Sequence, residues 1–234
     1  QEVTDMRKEE RQKYWMKLFW LFLFASFGGA VIEIIFCFLT TGRWMSRSSV
    51  VYGQFSLVWG LGVVLLTISL VGLRNKNDRI IFTVGAFLGG VYEYLCSVVS
   101  EALFGSVFWD YSGFRFNIGG RVNLLFCLFW GLIALVWIRK IYPALSGTMD
   151  KIVGWTGRTT TVILAILMLG NMLLSTAALG RYVARKQGRV QLQATEMEVF
   201  MDTCFPDSRM ERRFPNLKMR MSDGSLGYPA MLGK

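Results

Sequence analysis

The sequence predicts an all-α, polytopic transmembrane helical bundle with about five spans. Hydrophobic residues make up 53% of the 234 residues and charged residues only 18%, below the roughly 25% charged residues of an ordinary soluble domain. The apolar residues are also concentrated in five blocks, which with their flanks reach the ~20 residues that a helix needs to cross a bilayer core. A soluble core would explain one such block but not five. The blocks cover residues 18–41, 48–73, 80–108, 122–138 and 159–180.

Composition excludes several kinds of chemistry. The chain has no histidine, which excludes a Ser-His-Asp or Cys-His nucleophile system, a histidine zinc site and a histidine proton shuttle. Aromatic residues make up 15% and the mean hydropathy is +0.40, which excludes intrinsic disorder for most of the chain. Any binding or reaction must therefore depend on carboxylates, Arg, Lys, Tyr, Ser or Cys.

Charge divides the chain into three segments. Residues 1–17 are a charged stretch that we expect to extend the first span as a helix on the cytoplasmic side. Residues 18–180 form the transmembrane bundle, and residues 181–234 form a polar C-terminal tail. In the tail, apolar residues spaced i, i+3, i+4, i+7 predict a short amphipathic helix over about 191–204. We expect residues 224–234 to be disordered.

The distribution of basic residues predicts a cytoplasmic N-terminus. Twelve Lys and Arg residues flank the blocks in the N-terminal stretch and in the second and fourth connections, whereas the first and third connections carry only four. Cytoplasmic loops are enriched in Lys and Arg, so five spans place the C-terminal tail outside, although that tail also begins with basic residues. The net charge of +10 is then explained by flanks that face anionic lipid and not by a nucleic-acid surface.

Two internal alignments predict a repeat. Residues 25–37 align with 85–97 at an offset of 60, and both copies place a small residue, a glycine and a glutamate four residues apart. Residues 55–61 align with 126–132 at an offset of 71, and both copies end in Trp-Gly-Leu. A two-span unit returns the chain to its starting side, so the copies are parallel and their symmetry axis follows the membrane normal. The fold is therefore predicted as two parallel two-span repeats plus a fifth span.

The repeat gives Glu33 and Glu93 equivalent positions. A spacing of four places each glutamate on the same helix face as Gly29 or Gly89, and small residues let helices approach closely in lipid. We expect the first and third spans to cross near these two glycines, which would bring the two glutamates together. Glu101 lies on the same face as Glu93, two turns further along.

The presence of carboxylates inside a membrane requires an explanation, because inserting a charged side chain at the bilayer centre costs roughly 2.5–3.5 kcal/mol on insertion scales. One interpretation is a polar cavity in which Glu33, Glu93 and Glu101 bind a cation, a proton or an amine. The other interpretation is structural pairing, with Arg43 or Arg121 neutralising a glutamate near the outer interface. Both interpretations stay open at this point.

The third connection, residues 109–121, is the densest polar motif of the chain. Its Asp, Ser, Asn and Gly residues favour turns, while the interleaved Phe and Ile residues favour burial. We expect this segment to fold back into the bundle, where irregular backbone is tolerated if it lines a protein cavity. The alternative is a packed loop that only holds the two repeats together.

Three groups of motifs carry a family resemblance. They are Trp109-Asp110-Tyr111-Ser112, Phe116-Asn117-x-x-Gly120-Arg121 and Trp130-Gly131; Glu33, Gly42-Arg43, Arg47, Tyr52-Gly53 and Gly60; and Asp202-x-x-Phe205-Pro206-Asp207 with Phe214-Pro215-Asn216. Over about residues 18–219 the chain resembles the CmpB-like bacterial membrane proteins, the ABC-transporter type IV family. It departs from the family at Ser46, where Asn is usual, and at Gln54 and Leu57, where proline is common. The resemblance implies a multi-pass permease of the bacterial inner membrane.

The leading functional hypothesis is a permease-like protein that binds a small or amphiphilic substrate between the repeats and exposes it alternately to the two sides. Three glutamates would line the site, the third connection would form its lid, and two arginines would balance charge. The residues of this hypothesis are Glu33, Glu93, Glu101, Arg43, Trp109, Asp110, Tyr111, Asn117 and Arg121.

Two alternatives belong to other functional classes. One is an integral membrane enzyme that acts on a lipid or lipid-linked substrate with a carboxylate as general base or metal ligand; the other is a non-catalytic assembly subunit. No catalytic residue, cofactor or metal is evident in the sequence. It also lacks a G-x-x-x-x-G-K-[ST] nucleotide-binding loop, so a separate ATPase chain would have to supply any ATP hydrolysis. The predicted partners are the lipid bilayer, that ATPase or another membrane subunit, and a second copy of the chain, but no nucleic acid.

Overall fold

The computed structural model of the chain describes residues 2–189, 195–220 and 226–228. The architecture is all-α, with a few short strands. The helices are α1 (Glu2–Thr41), α2 (Leu57–Leu70, continued by the 3-10 turn Val71–Leu73), α3 (Asp78–Phe104), α4 (Leu124–Val136), α5 (Tyr142–Lys186), α6 (Glu196–Cys204) and α7 (Asp207–Arg213). A π-helical turn, Trp137–Ile141, joins α4 to α5. The strands are β1 (Ser106–Val107), β2 (Asn117–Ile118), β3 (Val122–Asn123), β4 (Lys218–Arg220) and β5 (Leu226–Gly227).

Three helical stretches of the described residues are long and apolar enough to cross a membrane. They are Met6–Thr41, Asp78–Phe104 and Leu124–Lys186, and the apolar helix Leu57–Leu73 is shorter. The chain is therefore a helical membrane protein, as its composition predicts. The five predicted blocks do not appear as five separate long helices, because the fourth and fifth blocks lie in one 63-residue helical stretch.

This long stretch is interrupted at Gly157. Its backbone angles, φ 64° and ψ −179°, are not helical, and a positive φ of this kind is readily adopted only by glycine. Just after the break, the Thr161 hydroxyl donates to the Gly157 carbonyl over 2.9 Å and accepts from the Trp20 indole nitrogen over 3.1 Å. Helix α5 therefore contacts α1 on both sides of the break, through Asp150 before it and Thr161 after it.

Small residues let α1 approach α2 and α3 approach α4. A Cβ atom on Gly60 of α2 would lie 1.9 Å from the Ser26 hydroxyl of α1. In the second pair, a Cβ atom on Gly85 would lie 2.3 Å from the Cβ atom of Ala134. Neither glycine leaves room for a side chain, so both pairs are held at short interhelical distance, as small residues allow in lipid.

The side chains that cover the membrane-crossing helices are apolar and exposed. Phe36 is 64% exposed, Phe87 70% and Leu103 63%. In water such a surface would be a large apolar patch, whereas in a bilayer the same side chains face hydrocarbon. The exposed side chains thus agree with a membrane environment.

Contacts place the loops and termini at two ends of the bundle. At one end, the Lys17 ammonium pairs with Asp150 over 3.0 Å, and Arg139 pairs with Asp78 at the start of α3. At the other end, the first connection meets the second part of α5, where the Val51 amide donates to the Ser175 hydroxyl over 2.8 Å. The start of α1 therefore lies at the end opposite to the first connection.

The C-terminal tail folds against the end that carries the first and third connections. Strand β4 pairs antiparallel with β1, with Ser106 opposite Met219 and Val107 opposite Lys218. The tail has its own buried apolar cluster with the end of α5. Its members are Val51, Ala178, Leu179, Tyr182, Val183, Met201, Phe205, Met210, Phe214, Leu217 and Met219.

The tail differs in detail from the sequence expectation. The amphipathic helix expected over 191–204 is α6 from Glu196, begun by a capping box between Thr195 and Glu198, and residues 191–194 lie outside the described residues. The expectation of disorder for 224–234 is wrong at Leu226–Gly227, which forms β5 beside β4, because pairing with β4 satisfies its backbone. Of the other residues in that range, only Tyr228 is among those described.

Candidate functional site

The first glutamate, Glu33, is paired within the protein. Its carboxylate accepts from the Arg47 side chain over 2.8 Å and from the Trp59 indole nitrogen over 2.6 Å. Glu33 and Arg47 are each about a quarter exposed. Arg43, one of the two arginines that the sequence suggested for neutralising a membrane glutamate, is exposed just beyond the end of α1, and Arg47 pairs with Glu33 instead. The first connection turns back after Trp44, and this turn brings Arg47 to Glu33.

Each glycine of the predicted crossing lies against an indole. A Cβ atom on Gly29 would lie 2.2 Å from Trp59, and one on Gly89 would lie 2.2 Å from Trp130. The expected crossing of the first and third spans at these glycines is therefore wrong, because the tryptophan of the next helix fills each glycine face. The two indoles approach each other, with ring centroids 6.1 Å apart, so the helix pairs meet through tryptophans.

Glu93 is the most buried of the three membrane glutamates, with 7% of its surface exposed. Its Oε1 atom accepts a hydrogen bond of 2.6 Å from the Tyr111 hydroxyl. Its Oε2 atom is buried and has no hydrogen-bond partner among the described residues. The Trp130 indole lies close to this carboxyl group but forms no hydrogen bond to the Oε2 atom. A buried carboxyl oxygen without a hydrogen-bond partner is costly in free energy. Glu93 is therefore the one of the three glutamates whose hydrogen bonding is incomplete among the described residues.

Tyr111 joins the third connection to the bundle. Its ring stacks on Phe126 of α4 with centroids 4.5 Å apart, and its amide donates to the Gly120 carbonyl over 2.7 Å. Burial raises the pKa of the Tyr111 hydroxyl, and the hydrogen bond to Glu93 and the carboxylates of Glu93 and Glu33 raise it further. Tyr111 therefore stays a neutral donor that is influenced by both glutamates.

Glu101 is paired with the third connection. Its carboxylate forms an ion pair with Arg121, whose guanidinium also donates to the Ser97 hydroxyl over 3.2 Å. The Trp109 indole donates to the Arg121 carbonyl over 2.9 Å. Glu101 lies eight residues beyond Glu93, about 12 Å along the helix. Arg121 thus holds the loop to α3, which is a positioning contact.

The other two predicted loop residues stabilise the loop itself. The Asp110 carboxylate accepts from the Ser112 amide over 3.0 Å and pairs with Lys218 of β4 over 3.3 Å. The Asn117 side chain accepts from the Gly120 amide over 2.9 Å and donates to the Phe114 carbonyl over 2.7 Å. These contacts fold the segment; neither side chain is directed at Glu93 by them.

The structure thus connects Glu93 to Tyr111, Glu101 to Arg121, and Trp109 to the backbone of Arg121. It does not bring Arg43, Asp110 or Asn117 to the carboxylates. The sequence reasoning missed Arg47, Trp59, Trp130 and Lys218 as contact residues. The alignment of the two Trp-Gly-Leu motifs already marked both tryptophans as equivalent, and that equivalence was the available signal.

Two cavities open to the surface at the loop end of the bundle. One, of about 300 Å³, lies between the first connection and α7. An adjoining groove of about 840 Å³ shares Ser46 and Arg212 with it. Within the described ranges, no group of three or more His, Cys, Asp or Glu could hold a metal ion.

Comparison with known proteins identifies one family. The family model described as "Putative ABC-transporter type IV", CmpB, matches residues 20–176, which are 157 of the 234 residues. No curated protein and no solved structure matches the chain. The matched region includes the three glutamates, the loop with Tyr111 and the second part of α5 up to Thr176. The protein therefore belongs to the CmpB-like family of ABC-transporter type IV membrane proteins.

Proposed function

We propose that this protein is a permease-like membrane component that binds a small or amphiphilic substrate, through a basic group, at Glu93. The observation that carries the proposal is the buried Glu93 carboxyl group, with one oxygen bound by Tyr111 and the other without a partner among the described residues. Ionisable groups inside a membrane are costly, and they mark substrate or ion pathways. An amine or a proton would supply the missing donor.

The lid of this site is the third connection. Tyr111 covers Glu93, and its ring rests on Phe126. Moving the loop would break one hydrogen bond at Glu93 and would open the carboxyl group to the end that carries the tail. Alternating exposure of Glu93, coupled to its protonation, is the transport step we propose.

Five membrane crossings fit the arrangement of the ends. Residue Lys17 of α1 lies at one end of the bundle and the tail packs at the other, an arrangement that fits an odd number of crossings. At 1.5 Å per residue, the stretch Leu124–Lys186 contains roughly 95 Å of helix, about three times the thickness of a 30 Å bilayer core. It is therefore long enough for two crossings and the segment between them, and it is interrupted at Gly157. We propose an N-terminus on the cytoplasmic side of a bacterial inner membrane, with the tail outside.

A parallel two-span repeat is supported by equivalent packing. Trp59 covers Gly29 and donates to Glu33, while Trp130 covers Gly89 and lies near Glu93. The repeats differ at their carboxylates. The glutamate of the first half is neutralised by an arginine, whereas that of the second half meets a tyrosine. We propose that the second half has kept the binding role and the first half supports it.

A direct test replaces Glu93 by its neutral isostere. Purified protein in neutral detergent is titrated with a panel of primary, secondary and tertiary amines, and binding is followed by the fluorescence of the tryptophans beside the site. We expect saturable quenching in the native protein and its loss in Glu93→Gln. Glu101→Gln, the same substitution two turns away, is the matched control and should keep binding.

The outcome separates transport from assembly. Equal amine binding by native protein and a folded Glu93→Gln variant would refute the proposed binding site at Glu93. The second candidate, a non-catalytic assembly subunit, is favoured by the arginine pairing of Glu33 and Glu101. It predicts that Glu93→Gln changes nothing and that a partner such as a separate ATPase or a second copy co-purifies with both variants.

A further inference from the structure

The tail contributes an arginine-lined pocket that is separate from Glu93. The cavity of about 300 Å³ is lined by Ser46, Val51, Gln54, Arg209, Met210, Arg212 and Arg213. Its volume falls at the lower limit of small-ligand pockets, which range from about 300 to 1,000 Å³. Three arginines therefore line one small space between the first connection and α7.

None of the three arginines forms an ion pair with a carboxylate of the described residues. Arg209 donates to the Cys204 carbonyl over 2.8 Å, and Arg212 donates to the Ser208 carbonyl over 3.1 Å. The nearest acidic side chain along the helix, Glu211, is bound to Lys186 over 2.8 Å. The positive charge of the pocket is thus not balanced by acidic side chains of the described protein.

The guanidinium groups are held in place. Arg213 donates to the Val50 carbonyl over 2.7 Å and to the Ser48 hydroxyl over 2.9 Å, and it also contacts the Gly53 carbonyl. Arg209 lies over the rings of Tyr52 and Phe205, 5.4 and 4.8 Å from their centroids. Such contacts pre-organise the charged groups, so little side-chain entropy would be lost on binding a ligand.

The local electrostatics favour an anion. Burial lowers the pKa of the Arg213 guanidinium, and the neighbouring positive charge of Arg209 lowers it further. An anion between the two arginines would relieve this repulsion. The buried Gln54 side-chain oxygen has no hydrogen-bond partner within the part of the chain that the structure describes. Because amide oxygen and nitrogen are exchanged by a simple flip, the Gln54 NH₂ group could also face the pocket as a donor.

We infer that this pocket is a binding site for a phosphate group. Arginine is the preferred residue for phosphate because its planar fork donates two parallel charge-assisted hydrogen bonds. The adjoining groove of about 840 Å³ could hold the rest of a phosphate-bearing molecule. Besides Trp44, Met45 and Pro215 it is lined by Glu211, whose carboxylate is paired with Lys186. The phosphate could belong to a lipid headgroup or to a soluble compound, and both share the same contacts.

The test uses the full chain in neutral detergent and measures inorganic phosphate binding by titration calorimetry at constant ionic strength. Arg212→Gln is the informative variant, because the hydrogen bond described for Arg212 is within its own helix. Arg115→Gln is the matched control, since Arg115 is an exposed arginine of the same end outside the pocket. We expect Arg212→Gln to weaken phosphate binding about tenfold or more, as for loss of one charge-assisted contact, and Arg115→Gln to leave it unchanged.

A second arm identifies the source of the phosphate. The same proteins are placed in nanodiscs of phosphatidylcholine with or without phosphatidylglycerol, and the thermal midpoint is compared. Inorganic phosphate binding that depends on Arg212 supports the site with a soluble ligand. Stabilisation by phosphatidylglycerol that depends on Arg212 supports it with a lipid headgroup. Absence of both effects, or equal losses in Arg212→Gln and Arg115→Gln, would overturn the proposal, and neither result bears on Glu93.

Discussion

The contact between Gly29 and Trp59 allows a prediction with an internal control. Gly28 and Gly29 are neighbours in α1, but a Cβ atom on Gly28 would meet nothing within 4 Å, whereas one on Gly29 would lie 2.2 Å from Trp59. Replacing either glycine by alanine in a helix contributes about 1 kcal/mol of stability through helix propensity. This gain is common to both variants, so their difference measures the contact with the indole.

The difference can be estimated from the geometry. Carbon atoms in contact lie about 3.5–4.0 Å apart, so the Trp59 side chain would have to move by more than about 1 Å to accept the new methyl group. Overpacking of this kind typically costs 1–3 kcal/mol. The displacement would also strain the 2.6 Å hydrogen bond from Trp59 to Glu33. We therefore expect Gly29→Ala to be about 1–3 kcal/mol less stable than Gly28→Ala, and more if that hydrogen bond is lost.

The assay is thermal unfolding in a mild detergent, followed by tryptophan fluorescence. For a chain of 150–250 residues, 1 kcal/mol shifts the midpoint by roughly 2–4 °C, so Gly29→Ala should melt about 2–12 °C below Gly28→Ala. In Gly89→Ala the new methyl group meets Trp130 in the second helix pair, and its midpoint should lie below that of Gly28→Ala by a similar amount. Equal midpoints for Gly28→Ala and Gly29→Ala would show that Trp59 does not lie over Gly29, and the packing argument would fail.

Two further predictions concern the charged loops. Arg47→Gln should lower the thermal midpoint because it leaves a partly buried carboxylate unpaired, with a cost of up to about 3 kcal/mol, while Arg43→Gln should not; a larger loss for Arg43→Gln would contradict the pairing. The hydrogen bond from the Ser112 amide, and then Lys218, hold the pKa of Asp110 below its ordinary value. The ionised Asp110 carboxylate therefore stabilises the folded state above the pKa that Asp110 has in the unfolded chain, and this stabilisation is lost as the pH falls through the lower pKa of the folded state. Asp110→Asn should thus have a lower thermal midpoint than the native protein at neutral pH, and the two midpoints should converge in acid.

The sequence was sufficient to predict the membrane class but not the partners within it. Long apolar segments are needed wherever the chain faces the hydrocarbon of a bilayer, so the distribution of apolar residues along the sequence is enough to locate them. Which of Arg43 and Arg47 reaches Glu33 depends on how the first connection turns after α1. The direction of that turn cannot be predicted from the few residues between the two arginines. The glycine faces were correctly seen as sites of close approach, but periodicity cannot tell whether another glycine or a tryptophan fills such a face.

Long-range contacts of the tail were also beyond pattern reasoning. A strand of two or three residues such as β1 or β4 carries no periodic signal, yet their pairing decides where the tail lies. The bond between Lys218 and Asp110 spans more than a hundred residues of sequence. By contrast, the matched Trp-Gly-Leu motifs pointed to equivalent roles for Trp59 and Trp130, because a repeated local pattern needs no knowledge of the intervening chain.

The pairing of β4 with β1 has a consequence for how often the Tyr111 loop could leave its position. The pairing involves two residues on each strand, and a net hydrogen bond contributes only about 0.5–1.5 kcal/mol. Together with the partly buried ion pair between Asp110 and Lys218, this strand pairing restrains the loop by about a few kcal/mol. Taken alone, a restraint of that size would leave the released state populated at about 0.1–10%. The tail therefore adds to the restraint that Tyr111 and Arg121 place on the loop through Glu93 and Glu101, and shortening the tail should raise the population of the released loop while the helix bundle stays folded.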